Sequence, residues 1–169
     1  MILNSLQEAE WEYACRALTK TPFHFGGTIT DKLANYRASH TYASEPKGEY
    51  REQTTPIGMF PPNAFGLYDM HGNVYEWCAD DWHDNYQGAP NDGSAWVEEN
   101  NNDNNNHYQV LRGGAWFYIP TYCRCAYRND IDIWRRDDIL YNIGFRIVCV
   151  AAITKALGQR AEGRREDNE

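Results

Sequence analysis

The sequence predicts an α+β domain that is rich in loops and poor in regular secondary structure. Three observations predict it. One helical stretch lies near the N-terminus, a long middle segment is broken repeatedly by glycine and proline, and two short segments near the C-terminus alternate like strands of one sheet.

The elements follow in order. Ser5-Leu-Gln-Glu8 has the capping-box spacing and predicts a helix over residues 6 to 17, with Leu6, Ala9, Tyr13, Ala14 and Ala17 facing inward. From Thr19 to Phe65 the turn-forming pairs come too often for long elements, so ordered loops and short strands are expected. Asp69 and Glu76 then stand seven residues apart around a Gly-Asn turn. Two carboxylates and the intervening carbonyls in that spacing can converge on a hard cation such as calcium. Equally, Asp69 can cap the turn while Glu76 makes a buried hydrogen bond. Residues 98 to 107, mostly Asn and acids, predict a mobile surface loop. Tyr108 to Arg112 and Ile143 to Cys149 read as strands, with a long excursion between them. One domain over 1–150 is expected, and 151–169 reads as a polar, frayed tail.

Composition narrows the function classes. The 169 residues, 42% of them hydrophobic, suffice for one core. A net charge of −8 and a pI near 5.1 lack the basic footprint that phosphates require. The one basic cluster, Arg135-Arg136, is followed directly by Asp137-Asp138, so nucleic acid is excluded as a partner. No apolar run approaches the roughly 20 residues of a membrane span, and no secretory signal opens the chain. The expected location is therefore cytoplasmic. Cys15, Cys78, Cys123, Cys125 and Cys149 form an odd set without paired metal-type spacing, which favours free buried thiols over a disulfide framework.

Five ordered stretches then carry a resemblance: Glu8-Ala-Glu-Trp-Glu-Tyr-Ala-Cys-Arg16, Thr54 to Tyr68, Asp69-Met-His-Gly-Asn-Val-Tyr-Glu-Trp77, Arg112-Gly-Gly-Ala-Trp116 and Ile143-Gly-Phe-Arg146. They resemble the formylglycine-generating-enzyme (sulfatase-modifying factor) family, a variant of the C-type lectin fold. The resemblance implies a structural calcium site at Asp69, the Gly72 and Val74 carbonyls, and Glu76. It implies a second at Asn35, the Tyr36 carbonyl, Glu49 and the Arg51 carbonyl. The family's copper oxidases use two cysteines five residues apart. Here the second aligns with Cys123 but the first falls on Tyr118, and a phenol cannot replace the soft thiolate that cuprous copper needs. Cys125 is the one alternative partner for Cys123. The histidine cluster of the iron-dependent branch is not rebuilt by five scattered histidines, so no redox cofactor is expected.

A closer resemblance is to variable proteins of diversity-generating retroelements, whose C-terminal region begins with an Arg-Gly-Gly motif and ends Asn-Ile-Gly-Phe-Arg. This chain keeps Arg112, Gly113, Gly114, Trp116, Pro120, Cys123, Arg124, Ala126, Arg128 and Asn142 to Arg146. In such systems adenines are randomised, so an Asn codon cannot become Lys, Glu, Gln or Met. Residues 113 to 142 contain none of these, although the four types make up 24 of the 169 residues. The replaceable set implied is Phe117, Tyr118, Ile119, Thr121, Tyr122, Cys125, Tyr127, Asp130, Ile131, Asp132, Ile133, Ile139, Leu140 and Tyr141. Trp134 is not reachable from an Asn codon. Trp116, Ala126, Ile143 and Phe145 are expected to pack the flanking strands. Mixed Tyr, Asp and Ile on an excursion between strands resemble a paratope. The expected function is display of a hypervariable surface that binds a macromolecular ligand, most naturally a protein. The alternative is a copper oxidase of the formylglycine-generating type.

Overall fold

The computed structural model describes residues 2–98, 108–132 and 140–150. Residues 99–107, 133–139 and 151–169 lie outside the described residues, and with them the Asn-rich loop, Ile133, Trp134, Ile139 and the tail. The elements are β1 (Ile2–Ser5), α1 (Glu8–Arg16), β2 (Tyr75–Asp81), β3 (Tyr108–Arg112), a 3₁₀ turn (Pro120–Cys123), β4 (Asn129–Asp132), β5 (Ile143–Phe145) and β6 (Ile147–Val150). Strands β1 and β6 form an antiparallel pair; the other four form a sheet in the order β4-β3-β2-β5. Within that sheet β5 runs parallel to β2, and the other pairs are antiparallel.

Helix α1 starts two residues later than the expected 6 to 17. Ser5 ends β1, and the N-cap falls on Gln7, whose N–H donates to the Glu10 carboxylate at 3.2 Å. That start sets the inward stripe at Glu8, Trp11 and Cys15, an i, i+3, i+7 spacing. Ala9 and Tyr13, expected inside, are exposed. The helix ends at Ala17, which adopts a left-handed conformation and donates its N–H to the Tyr13 carbonyl at 3.1 Å.

The segment expected to be a single strand from Ile143 to Cys149 is divided at Arg146. Its guanidinium donates to both oxygens of Glu76, at 2.6 and 2.9 Å, and to the Tyr68 carbonyl at 3.0 Å. At that residue the chain leaves the four-stranded sheet and joins β1. Phe145 is accordingly 72% exposed, and Ala126 is exposed too, so neither belongs to the packing set. A further departure lies inside the expected excursion, where Asn129–Asp132 pairs with β3.

Between Thr19 and Asn73 the described bridges are isolated, Phe23 with Gly26 and Asn35 with Gly72. The turn from Asp69 to Asn73 ties this irregular backbone together. The Gly72 N–H donates to the Gly113 carbonyl at 2.7 Å, the Asn73 N–H to the Asn35 carbonyl at 2.8 Å, and the Trp116 N–H to the Asn73 carbonyl at 2.9 Å. Gly72 has φ +79°, and a Cβ there would lie 2.1 Å from the Asn35 carbonyl oxygen, so only glycine fits.

Among the described residues, three apolar clusters fill the interior, centred on Trp11, on Phe23 with Tyr36, and on Tyr75 with Leu111. Among them sit buried charges. Arg112 is fully buried beneath α1, with Nη2 2.5 Å from Glu12 and 2.6 Å from the Cys125 carbonyl, and Nη1 3.3 Å from Glu8. Glu8 also receives Arg128 Nε at 2.6 Å and Nη2 at 3.0 Å, and that guanidinium lies over both Trp82 and Tyr86. Removing one partner of a buried pair leaves an uncompensated charge. Glu8→Ala is therefore expected to cost about 3–5 kcal/mol in urea unfolding, and a loss below about 1 kcal/mol would contradict the role assigned to Glu8.

The loop before Gly48 is latched by Glu45, which accepts from the Thr28 hydroxyl and the Tyr42 amide, and from the Ala43 amide at 2.9 Å. Burial raises this carboxyl, but the hydrogen bonds outweigh it and hold it below its ordinary value of 4.5. The unfolded chain then binds the proton first as pH falls, so the latch stabilises fully above that value and is lost as pH drops through the folded one. Glu45→Gln is expected to flatten the acid limb of melting temperature against pH; an unchanged slope below pH 4.5 would refute the latch.

Candidate functional site

The segment after β3 is held by its main chain. Besides Gly113 and Trp116, the Tyr118 carbonyl accepts from the Arg37 N–H at 2.9 Å, and the Cys125 N–H donates to the Pro22 carbonyl at 2.8 Å. Gly114 permits the 3₁₀ turn to fold back on β3: its φ is +77°, and a Cβ would fall 2.6 Å from Cys123 Sγ. With the backbone fixed in this way, the intervening side chains project as a chain of rings. Phe117 and Tyr118 have centroids 4.3 Å apart, Tyr118 and Tyr122 5.2 Å, Tyr122 and Tyr127 4.9 Å, and Phe117 and Tyr141 5.7 Å. Phe117, Tyr118, Ile119, Tyr122 and Tyr127 are half-buried, and Thr121, Asp130 and Tyr141 are exposed. Purely core aromatics would be hidden; these have one side packed and one side open.

A cleft of about 330 Å³ opens on this face, lined by Phe117, Tyr118, Asp130, Leu140 and Tyr141 of the replaceable set and by Tyr75, Leu111, Asn129, Asn142 and Ile143. The structure thus brings five of the positions expected to be replaceable around one concavity. Ile131 and Asp132 belong to β4. Tyr75 was not singled out in the sequence, because inside the Asp69–Trp77 motif nothing distinguishes it. It is buried edge-on to Tyr118 at 5.1 Å, and its hydroxyl has no hydrogen-bond partner among the described residues. Burial drives its pKa upward, as it does more weakly for Tyr118 and Tyr127, so the rings stay neutral phenols.

Cys125 does not belong to this face. It is fully buried, and its sulfur lies 3.5 Å from Cys15 Sγ in the cluster around Trp11. Cys123 packs instead in the cluster around Phe23, so the two do not form the alternative pair. Burial pushes the Cys123 thiol up to about 12, which leaves it protonated at neutral pH.

The two expected cation sites differ. Glu76 already holds the Arg146 guanidinium on both oxygens and accepts the Trp11 indole N–H at 2.7 Å. Asp69 is half-buried with its pKa raised by desolvation, against the pull of Arg146. Arg146 thus pairs with Glu76, so the set does not present two free carboxylates. At the second set Asn35 is fully buried, and its Nδ2 donates to the Gln53 carbonyl and Asn73 Oδ1. Its Oδ1 has no donor among the described residues, while the Glu49 carboxylate is largely exposed beside Arg51. A buried acceptor without a donor is what a hard cation satisfies.

These features define a loop-rich α+β unit of the C-type lectin type, with an aromatic cleft borne on a long excursion. The chain matches the sulfatase-modifying factor enzyme 1-like domain over residues 5–151, and it belongs to that family. The formylglycine-generating enzyme of Mus musculus is 33% identical over 148 residues, 82% of this chain and 37% of the mouse protein. The serine/threonine-protein kinase pkn1 of Chlamydia caviae is 37% identical over 125 residues, 72% of this chain and 17% of the kinase. Among solved structures, PvdO from Pseudomonas aeruginosa is similar with a TM-score of 0.68 and 41% identity, covering 86% of this chain and 51% of that one. Treponema denticola variable protein 1 is similar with a TM-score of 0.61 and 27% identity, covering 86% and 46%. This chain spans about half the length of these relatives or less. Among the described residues no helix is long and apolar enough to cross a membrane.

A buried hydroxyl without a partner costs about 1–3 kcal/mol. Tyr75→Phe is accordingly expected to leave the melting temperature unchanged or raise it; a clear loss of stability would show that the hydroxyl is bonded in the folded state.

Proposed function

We propose that this chain is a ligand-binding protein of the diversity-generating retroelement type, whose replaceable side chains form a recognition surface for a macromolecule, most naturally a protein. The observation that carries the reading is the cleft at which Phe117, Tyr118, Asp130, Leu140 and Tyr141 meet, on a backbone held by bonds that do not depend on their identity. Aromatic rings with few torsions give contact area at low entropic cost, and Asp130 adds polarity at the rim. The likeness to a protein named for its variability supports it. Against the oxidase reading stand Tyr118 at the first cysteine position and a Cys123 thiol that burial keeps protonated. A structural calcium ion at Asn35, the Tyr36 carbonyl, Glu49 and the Arg51 carbonyl is part of the proposal, supported by the unpartnered Asn35 oxygen.

Two experiments test it. The gene's surroundings should hold a reverse transcriptase and a near-repeat of the segment encoding 112–146, with mismatches confined to adenines. In a display library varied at Phe117, Tyr118, Leu140 and Tyr141, distinct protein binders should be recovered without loss of folding. Absence of the repeat together with a library that yields no binders would overturn the reading. For the ion, chelation with EGTA is expected to lower the melting temperature by several degrees, as ligand linkage requires; no shift would remove calcium from the proposal.

A further inference from the structure

Away from the aromatic cleft, three side chains from distant parts of the chain meet in the interior: Cys15 on α1, His71 in the Asp69–Asn73 turn, and Cys125 after the 3₁₀ turn. All three are buried, and their ligand atoms lie within 4.8 Å of one another. We propose that Cys15, His71 and Cys125 form a binding site for a zinc-type divalent ion, held by two thiolates and one imidazole.

The distances around Cys15 are compatible with both a thiol hydrogen bond and a shared ion. Cys15 Sγ lies 3.5 Å from Cys125 Sγ, 3.8 Å from His71 Nε2 and 3.5 Å from the Met70 carbonyl oxygen. With Zn–S near 2.3 Å and Zn–N near 2.0 Å, the ligand atoms of a tetrahedral site stand about 3.5–3.8 Å apart. A disulfide would bring the sulfurs to about 2.05 Å. An ion in line between them at similar bond lengths would spread them to about 4.6 Å. The distances from Cys15 Sγ to Cys125 Sγ, His71 Nε2 and the Met70 oxygen fall in the tetrahedral range, with His71 Nδ1 just outside it at 3.9 Å, and the thiol hydrogen bond of the ion-free form shares the first of them.

The imidazole is set for this role. His71 Nδ1 lies 2.7 Å from the Cys123 carbonyl and donates to it, which leaves Nε2 as the acceptor of the ring. The His24 N–H donates to that acceptor at 3.1 Å, a bond the ion would replace. Two thiolates balance a divalent cation, so the loaded site adds no net charge to an apolar interior. The ion-free form holds the same atoms through a thiol hydrogen bond from Cys15 to Cys125. The site shares no residue with the aromatic cleft, so its success or failure is separate from that of the proposed binding function.

The test uses the full chain carrying Cys149→Ser, which removes the exposed thiol. Cobalt(II) is added to one equivalent, followed by zinc. The expected result is one cobalt per chain, with the visible bands of a tetrahedral ion and a sulfur-to-cobalt charge-transfer band, both bleached by zinc. Cys125→Ala is expected to weaken zinc binding at least 100-fold. An unaltered cobalt spectrum, or one of an octahedral oxygen-ligated ion, would overturn the site and leave only the thiol hydrogen bond. So would an affinity that Cys125→Ala changes less than threefold. Should Cys125→Ala fail to fold, the cobalt spectrum of the Cys149→Ser protein decides alone.

Discussion

Three arginines bracket the excursion from β3 to β6, and the fold depends on where their charges go. Arg112 is received by Glu8 and Glu12, Arg128 by Glu8, and Arg146 by Glu76. All three acids lie on α1 or β2, elements completed before the excursion begins. Each guanidinium is wholly or largely removed from water, so leaving it without its carboxylate is costly. The pairing therefore fixes where the excursion starts, where it turns into β4 and where it ends. It also explains the divided C-terminal segment: alternation alone favours one continuous strand, but Arg146 is held by Glu76, and the chain changes sheets there.

Much of this was legible in sequence and some was not. The loop-rich α+β class followed from punctuation and from the motifs, and β3 lay where alternation placed it. The helix was legible as an element but not in phase, because Ser5 looked like a cap while its backbone was committed to β1. Glu8 then read as a capping acid rather than as the buried receiver of two arginines, a role that depends on residues more than a hundred positions away. β2 was hidden because its residues belong to a motif that reads as a turn, and β4 because its pairing with β3 is long-range. In the cleft, the positions expected to be replaceable lie in a stretch marked by a compositional gap, whereas Tyr75 carried no local signal.

Cys125 shows why membership of a replaceable set is not the same as exposure. By codon logic it stands with Tyr118 and Tyr141, yet its side chain turns inward to Cys15 and His71. The chain passes between two clusters there, with Cys123 facing one and Cys125 the other. A segment without a continuous strand can still place alternate residues in separate cores when its neighbours along the backbone are pinned.

Those pins carry a consequence for any population of related chains. The Tyr118 carbonyl that receives Arg37 is present in every residue type, so substitution there leaves the bond intact. The N–H groups of Tyr118, Tyr122, Cys125 and Tyr127 are also used, donated to Ala115, Ile119, Pro22 and Arg124. Nineteen of the twenty amino acids supply that donor and proline does not. A collection of sequences sharing this backbone would then be free in size, charge and polarity at the open positions, but depleted in proline at these four. The imprint of the fold would be visible as the absence of proline at Tyr118, Tyr122 and Tyr127, on top of the residues that the codon itself cannot reach.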